Sequence, residues 1–205
     1  MSISLCFVVG DILLRLGMRT EYCRKSVHVL ACAVISAFPL FGLGYHDMVG
    51  VALLSAATLL LLRRTVLLRS ILSVERTSYG EIMMALSVLA LALAEVGYQA
   101  FLLAYVILGL SDTLASLVGQ RYGAEHHVFV GHTKSYVGSA AFLGSCLLIC
   151  LVSLVILEAV SARAVGLAVL ISLGLTAVEA ISSEGTDNFL VPVLAALSID
   201  AALLV

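Results

Sequence analysis

Charge is scarce in this sequence: Asp, Glu, Lys and Arg make up 12% of the 205 residues, whereas hydrophobic residues make up 62%. Soluble domains are usually about 25% charged and about 45–50% apolar, so the shortage excludes an ordinary soluble domain and predicts a membrane protein. The formal net charge is −2, and no basic face of the kind that binds nucleic acid is present. We therefore expect no nucleic-acid partner.

The familiar catalytic motifs are also missing. The chain has no G-x-x-x-x-G-K-[ST] phosphate-binding loop, and the GHTKS stretch at 131–135 only looks similar to one. It has no H-R-D or D-F-G kinase motif, no G-x-S-x-G elbow and no H-E-x-x-H zinc motif. Any phosphoryl chemistry must therefore use a nucleotide site that is built from the ends of membrane helices.

Two further absences concern cross-linking and processing. The five cysteines are odd in number and include no C-x-x-C pair, which favours buried thiols over a disulfide or a metal site. The N-terminus lacks a basic region and carries Asp11 and Arg15 within its apolar run. It therefore predicts a short first membrane span rather than a cleaved signal peptide.

What the sequence does contain is a series of long apolar runs. A helix needs about 20 apolar residues to cross a bilayer. This rule predicts an all-α integral membrane bundle of about seven to eight transmembrane helices, multi-pass and in a single domain, residues 1–205. The spans are placed at about 2–17, 26–43, 47–62, 82–97, 99–118, 137–158, 164–181 and 189–205.

Positive charges lie in alternate connections between these runs. The first, third and fifth connections hold several Lys and Arg residues, the second, fourth and seventh hold none, and the sixth holds only Arg163. Because loops rich in Lys and Arg stay on the cytosolic side, we expect the first, third and fifth connections to face the cytosol. With eight spans, the seventh connection faces the cytosol as well, and both chain ends lie outside.

Polar residues that are unusual for membrane helices gather on that cytosolic side. They are RKSVH at 24–28, SYGE at 78–81, Asp112, Lys134 and the acidic stretch from Glu179 to Asn188. An ionised side chain deep in a span costs about 2.5–3.5 kcal/mol, so such residues usually line a site or a pathway. Their convergence at one level predicts a functional site at the cytosolic surface.

One helical face carries an acid followed by small residues. Asp112, Ala115, Gly119 and Gly123 follow each other at steps of three or four residues. One interpretation is a small-residue seam that lets two membrane helices pack closely. The other is a ligand face, where glycines let a phosphate approach the backbone and a carboxylate holds Mg²⁺ on the phosphate oxygens. Lys134, in the following loop, supplies positive charge for the second interpretation.

Asp187 and Asn188 directly precede the last apolar run and fit two roles. They are good N-cap residues for the last helix, and their oxygens are also suitable metal ligands. The two roles are compatible, because one residue can cap the helix while the other coordinates. His28 lies on the same helical face as Arg24, and a lone membrane histidine of this kind is most often a hydrogen-bonded packing residue.

Five short motifs occur in the order found in one known family. They are RKSVH at 24–28, SYGE at 78–81, D-x-x-A-x-x-x-G-x-x-x-G at 112–123, KSYVGS at 134–139 and EGTDN at 184–188 with Pro192. From residue 19 to residue 193, the chain resembles the CTP-dependent polyprenol kinase family, whose members include dolichol kinase, phytol kinase and the CTP-dependent diacylglycerol kinase of yeasts. The phosphatidate cytidylyltransferases look like distant relatives. Many relatives have Glu where this chain has Val137.

The resemblance implies a phosphotransferase that uses CTP as co-substrate and a membrane lipid alcohol as acceptor. It implies a CTP-binding region made of Asp112, Ala115, Gly119, Gly123 and Lys134. With the other polar residues, the nucleotide is expected to contact Arg24, Lys25, Ala115, Gly119, Gly123, Lys134, Ser135, Gly138 and Ser139. Mg²⁺ is expected on Asp112 and Asp187, with Asn188 or Glu184 assisting. Glu81 or His28 is expected to orient or deprotonate the alcohol.

Two other functions stay open from the sequence. A phosphatidate cytidylyltransferase would use the same nucleotide but direct attack to the α-phosphorus, forming a CDP-lipid. A small transporter would line an ion path with the acids, although transporters usually carry polar residues near the midplane rather than at one surface. The sequence identifies neither the oligomeric state nor the alcohol, for which phytol, farnesol-type prenols, undecaprenol and diacylglycerol are all candidates.

Overall fold

A computed structural model describes residues 9–10, 12–13, 15–63, 79–129, 132–182 and 185–203 of the chain. Within these residues the fold is all-α apart from one β-hairpin, as the sequence predicts. The first predicted span, about 2–17, lies largely outside the described residues. Each of the other predicted spans contains a helix.

The helices follow one another with short connections. They are α1 (Thr20–Ser36), α2 (Tyr45–Arg63), α3 (Gly80–Leu93), α4 (Tyr98–Ile107), α5 (Thr113–Tyr122), α6 (Tyr136–Ile156), α7 (Ala162–Ile181) and α8 (Asp187–Leu203). A π-helical segment, Leu108–Asp112, joins α4 to α5, and a 3₁₀ turn, Phe38–Phe41, follows α1. Strands β1 (His126–Phe129) and β2 (His132–Ser135) lie between α5 and α6.

Three helices of the described residues are long and apolar enough to cross a membrane. They are the continuous helix Tyr98–Tyr122, which includes the π segment, Tyr136–Ile156 and Ala162–Ile181, with 25, 21 and 20 residues. The apolar stretches Tyr45–Leu61 and Gly80–Leu93 are shorter. The helices therefore bear out a membrane protein with transmembrane helices, while the count of seven to eight spans stays a prediction.

The core forms where α8 packs against α3, α4 and α7. Val191, Ala195 and Ala196 on α8 are completely buried, as is Tyr105 on α4. The Tyr105 hydroxyl forms a 2.7 Å hydrogen bond with the Ser87 hydroxyl, which gives the buried phenol the partner it needs. In contrast, α6 and α7 expose large apolar side chains such as those of Leu148, Ile156 and Leu170, as expected of helices that face lipid.

The π segment brings α1 close to the middle of the helix Tyr98–Tyr122. A Cβ atom on Gly109 would lie 2.8 Å from Cβ of Cys32, so only glycine allows this approach. π-helical turns insert one extra residue into a helix and are frequent at functional sites. Here the segment ends at Asp112, which is buried together with Ser111. The close approach of α1 thus determines the surroundings of Asp112.

The polar stretch after α5 is a β-hairpin, where the sequence analysis expected a loop. Its strands are antiparallel, with His126 opposite Ser135 and Phe129 opposite His132. The hairpin places α5 and α6 side by side, and it delivers Lys134 and Ser135 to the start of α6. β-branched and aromatic residues favour strands, and Val128, Phe129 and Thr133 supply them here.

Candidate functional site

A buried ion pair joins α1 to the π segment. Nζ of Lys25 lies 2.7 Å from Oδ2 of Asp112, and the two residues are only 5% and 8% exposed. A buried charge is costly unless it is paired, because removing an ion from water costs several kcal/mol. Asp112 and Lys25, predicted separately from distant parts of the chain, therefore depend on each other.

His28 lies beside this pair. Its Nε2 is 3.5 Å from the same Oδ2 of Asp112, and it also lies 3.8 Å from Sγ of Cys32, one helical turn further along α1. Lys25 and His28 are three residues apart and thus present neighbouring side chains to one carboxylate. The structure brings together three residues, Lys25, His28 and Asp112, that the sequence analysis assigned to the site.

A second ion pair joins β2 to α7. Lys134 donates to the carboxylate Oε1 and to the backbone carbonyl of Glu179. Glu179 is buried, and its second carboxylate oxygen, Oε2, is buried without a hydrogen-bond partner among the residues described. Since a buried acceptor is normally satisfied, this oxygen is a position where a ligand, water or metal ion would gain a strong interaction.

Asp187 completes the acidic group at the first residue of α8. Its Oδ1 accepts a 3.0 Å hydrogen bond from the backbone amide of Asn188, and its negative charge suits the start of a helix. Its charge also acts on Arg24, His28 and Glu179, as the charge of Lys134 acts on Asp112. The two ion pairs and Asp187 therefore form one electrostatic cluster, which we call the charged cluster.

Buried hydroxyl groups also lack partners near these charges. Among the described residues, the hydroxyls of Ser111, Thr113 and Ser139 are buried and make no hydrogen bond. Ser111 and Thr113 flank Asp112 in the chain, and Ser139 belongs to the predicted nucleotide-binding set. Because orphaned polar atoms are rare in folded proteins, each of these hydroxyls is a position where a polar ligand would gain a hydrogen bond.

The file of small residues lies against the start of α6. A Cβ on Gly119 would lie 2.6 Å from Oγ of Ser135, and one on Gly138 would lie 2.8 Å from the carbonyl oxygen of Ala115. A Cβ on Gly123 would lie 2.5 Å from Cβ of Ser135. Close helix packing, one of the two interpretations of the file, accounts for these contacts, and the nucleotide-binding role of the file stays a proposal.

Ser135, also in the predicted nucleotide-binding set, is the N-cap residue of α6. Its hydroxyl accepts a 3.0 Å hydrogen bond from the backbone amide of Gly138. This is the usual bond of an N-cap residue, and it fixes the chain direction directly after Lys134. The close packing of α5 on α6 therefore fixes the position of Ser135, and with it the position of Lys134, the preceding residue in the chain.

A network around Glu21 was not predicted from the sequence. The Glu21 carboxylate accepts hydrogen bonds from Nε and Nη2 of Arg24 at 2.9 and 2.7 Å. It also accepts from Oγ of Ser116 at 3.2 Å and from Nε2 of Gln120 at 3.1 Å. Arg24 is thus paired with Glu21 rather than with Asp112. The sequence does contain a signal for this network, because Ser116 and Gln120 follow Asp112 at steps of four residues and therefore share one face of the helix.

Glu21 precedes the predicted span 26–43, and its surroundings favour the ionised form. Partial burial acts to raise the pKa of Glu21, but the hydrogen bond and positive charge of Arg24 outweigh it, so that the pKa lies below its ordinary value. The carboxylate is therefore a permanent acceptor at neutral pH. It lines a cavity of about 290 Å³ together with Arg19, Tyr22, Leu117, Gln120 and Arg121.

Glu81 and Glu184 also belong to the predicted site. Glu81 lies partly buried in the first turn of α3. Glu184 lies outside the described residues, so its role as a metal ligand stays a prediction.

The oxygen ligands that are present suit magnesium. Across residues 9–203, apart from the positions not described, no three His, Cys, Asp or Glu side chains are grouped closely enough to hold a metal ion. Mg²⁺ does not need such a cage, since it is usually bound by one or two carboxylates together with substrate phosphates and water. Asp112 and Asp187 would supply two carboxylates of this kind.

Comparison with known proteins gives one informative relative. The chain is 29% identical over 196 residues to the phytol kinase of Synechocystis sp., an alignment that covers 93% of this chain and 83% of that protein. No family model matches the sequence, and no solved structure resembles it at a significant level. The alignment spans the ion-pair residues at 25 to 179 because it covers nearly the whole chain.

Proposed function

We propose that this protein is a lipid-alcohol kinase that transfers the γ-phosphoryl group of CTP to the hydroxyl of a membrane prenol or another lipid. The observation that carries the proposal is the charged cluster: the buried Lys25–Asp112 pair, the partly buried Lys134–Glu179 pair and Asp187. The similarity to phytol kinase supports a kinase with a lipid alcohol as acceptor. The choice of CTP rests on the family resemblance of the five motifs.

The lysines fit the electrostatic demand of phosphoryl transfer. In this reaction the alcohol oxygen bonds to the γ-phosphorus, and the bond from that phosphorus to the β–γ bridging oxygen breaks, which leaves CDP with additional negative charge. Positive groups that are already in place stabilise this charge without reorganising. Lys25 and Lys134 are held in place by Asp112 and Glu179, so their ammonium groups are preorganised for phosphate oxygens.

The carboxylates fit the metal that a triphosphate carries. Asp112 and Asp187 would hold Mg²⁺, assisted by Asn188 or Glu184. The ion would neutralise charge on the β- and γ-phosphates. The buried hydroxyls of Ser111 and Ser139 would then gain hydrogen-bond acceptors in the phosphate oxygens.

His28 is the better placed of the two residues considered for the alcohol. It lies next to Asp112, which can orient an imidazole and stabilise its charged form when it accepts the proton of the hydroxyl. Glu81 lies partly buried in the first turn of α3. We therefore assign proton acceptance from the lipid hydroxyl to His28.

The lipid would reach the site from the side of the bundle. The exposed apolar side chains of α6 and α7 suit contact with acyl or prenyl chains, while the charged cluster accepts the polar end. We further propose a multi-pass arrangement with this end of the helices facing the cytosol. The basis is the distribution of Lys and Arg between the connections.

Position-specific labelling of CTP tests the reaction. Purified protein in detergent is incubated with Mg²⁺, CTP labelled at the γ- or the α-phosphate, and a panel of phytol, farnesol, undecaprenol and diacylglycerol. We expect label in the lipid from the γ position only, and we expect Asp112→Asn to abolish it while Glu125→Gln, an exposed carboxylate outside the charged cluster, does not. Label from the α position would instead identify a cytidylyltransferase.

A further inference from the structure

The cavity beside Glu21 lies between the start of α1 and the end of α5. Six residues line its volume of about 290 Å³: Arg19, Glu21, Tyr22, Leu117, Gln120 and Arg121. None of them belongs to the charged cluster, and the phosphate chemistry proposed above does not use them. The residues of this cavity therefore need an explanation of their own.

The position of the cavity suits the far end of a nucleotide. Along α1, Glu21 precedes Lys25 by one helical turn, a rise of about 6 Å at about 1.5 Å per residue. Along α5, Ser116 and Gln120 follow Asp112 by one and two turns, or about 6 and about 12 Å. Both helices thus run directly from the Lys25–Asp112 pair to the cavity. An extended nucleoside triphosphate with its phosphates at that pair would place its base in the cavity.

The polar wall of the cavity presents hydrogen-bond acceptors. A carboxylate offers about four lone-pair sites, two on each oxygen. Oε1 of Glu21 accepts from Arg24, Ser116 and Gln120, whereas among the described residues Oε2 accepts only from Nε of Arg24. Oε2 therefore keeps accepting capacity, and Glu21 is held in a single orientation by these bonds.

Gln120 also presents a hydrogen-bond acceptor, because its bond to Glu21 fixes the orientation of its side-chain amide. A carboxylate can only accept, so the amide nitrogen of Gln120 must face it, at 3.1 Å. The same nitrogen donates to Oγ of Ser116 at 3.1 Å, which uses both of its hydrogens. The carbonyl oxygen is left as the group with which Gln120 can bind something else. Two acceptors, Oε2 of Glu21 and the Gln120 carbonyl, are thus available in one small cavity.

The other walls suit a flat, π-electron-rich ring. Tyr22 is 45% exposed, and Leu117 adds an apolar side chain. In the part of the chain that the structure describes, Arg19 and Arg121 have no carboxylate partner, and Arg121 lies 5.5 Å from the ring centre of Tyr122. Bases stack on aromatic rings and on guanidinium planes.

We propose that this cavity holds the base of the nucleotide and selects a base with an exocyclic amine, an inference that rests on the function proposed above. Oε2 of Glu21 and the Gln120 carbonyl would accept the two hydrogens of the amine at C4 of cytosine. Uracil has a carbonyl oxygen at C4. This oxygen is an acceptor too, so it would form no hydrogen bond with Oε2 of Glu21 or with the Gln120 carbonyl. Sites built to hydrogen-bond a polar group discriminate against an analogue that lacks it, because the acceptors of the site then lose their partners.

The ratio of kcat/KM for CTP to kcat/KM for UTP tests the inference in the full-length protein. Glu21→Gln replaces an acceptor by an amide that can donate to the uracil carbonyl, and we expect the ratio to fall by about tenfold or more, the effect of one charge-assisted hydrogen bond. Gln120→Met, similar in shape but without the carbonyl, should lower the ratio as well. Glu125→Gln, an exposed carboxylate outside the cavity, should leave it unchanged.

The outcomes separate this inference from the proposed function. A general loss of stability in Glu21→Gln would lower turnover with both nucleotides but would not change their ratio. If both cavity variants leave the ratio unchanged while the protein transfers phosphate from CTP, the inference is wrong and the kinase stands. If the wild type transfers no phosphate, the thermal stabilisation of the protein by CTP is compared with that by UTP. Stronger stabilisation by CTP that Glu21→Gln removes supports the cavity as the base site. Equal stabilisation by the two nucleotides, or none, overturns the inference.

Discussion

Two neighbouring strips of the same helix are used in different ways. Gly119 and Gly123 lie on one strip of α5, against the start of α6, where no side chain fits. Asp112, Ser116 and Gln120 lie on the adjacent strip and bond to side chains of α1. We call these the packing strip and the polar strip. One helix thus joins two partners, one through close backbone packing and the other through side-chain hydrogen bonds and an ion pair.

The comparison shows why the two strips must lie side by side. The packing strip holds the cap of α6 and, with it, Lys134 at a fixed position against Glu179. The polar strip holds Asp112 against Lys25. The glycines therefore bring the second ion pair to the first, and changes on the two strips should have different consequences for stability and for activity.

The largest expected effect follows from breaking the buried pair on the polar strip. Asp112→Ala leaves Lys25 buried without its partner, which should lower the free energy of unfolding by about 3–5 kcal/mol. The double variant Lys25→Met, Asp112→Leu replaces the pair by apolar side chains of similar size and should recover most of this loss. Thermal unfolding in detergent measures both. A double variant no more stable than the single one would show that the pair is not the cause.

Removing the charge of Lys134 should affect turnover more than the fold. Lys134→Gln keeps a hydrogen-bond donor near Glu179 but removes the ammonium group, and loss of one preorganised stabilising group typically lowers kcat by about 10²–10³. The measurement is the initial rate of label transfer at saturating CTP. If only KM changes, Lys134 binds the nucleotide equally in the ground state and the transition state, and its assigned role is wrong.

A smaller effect is expected where α6 packs against the packing strip. Gly138→Ala would place a methyl group 2.8 Å from the backbone oxygen of Ala115, and overpacking of this kind costs about 1–3 kcal/mol. The matched control is Gly144→Ala on the same helix, where a Cβ meets nothing within 4 Å and the change should be neutral or slightly stabilising. Equal thermal midpoints for the two variants would contradict the close packing of α5 on α6.

The smallest effect concerns the position where the family resemblance departs from this chain. Val137 is exposed in the first turn of α6. Val137→Glu adds a negative charge near the positive end of the helix dipole and should stabilise the protein by about 0.3–1 kcal/mol. Turnover should stay close to the wild-type rate, because the charged cluster is complete without this side chain. A large gain in turnover would mean that an acid at 137 takes part in catalysis.

The sequence predicted which segments meet, because charged residues cannot stay in apolar helices without a reason. RKSVH on α1, Asp112 and Lys134 were assigned to one site from this principle, and the structure brings Lys25, His28 and Asp112 within hydrogen-bonding or ion-pair range. The all-α class followed from the apolar runs. These features depend on composition and local spacing, which a sequence displays directly.

The sequence did not predict which residues pair with which. Lys134 was assigned to phosphate, and the structure shows that it is bonded to Glu179, because the hairpin turns it toward α7. Glu21 and Arg24 resemble an ordinary surface pair three residues apart, and only the packing of α1 on α5 adds Ser116 and Gln120 to them. The π segment shifts the helix by one residue before Thr113 and so changes which side chains face α1. The spacing of apolar and polar residues in the sequence does not reveal this shift.

The most direct test of the central claim uses the stable double variant of the buried pair. If the Lys25–Asp112 pair on the polar strip is the centre of phosphoryl transfer, Lys25→Met, Asp112→Leu should fold with a thermal midpoint near that of the wild type. It should nevertheless transfer no label from γ-labelled CTP to any alcohol of the panel. Transfer by this folded variant at the wild-type rate would contradict the account, because the pair would then serve the fold alone.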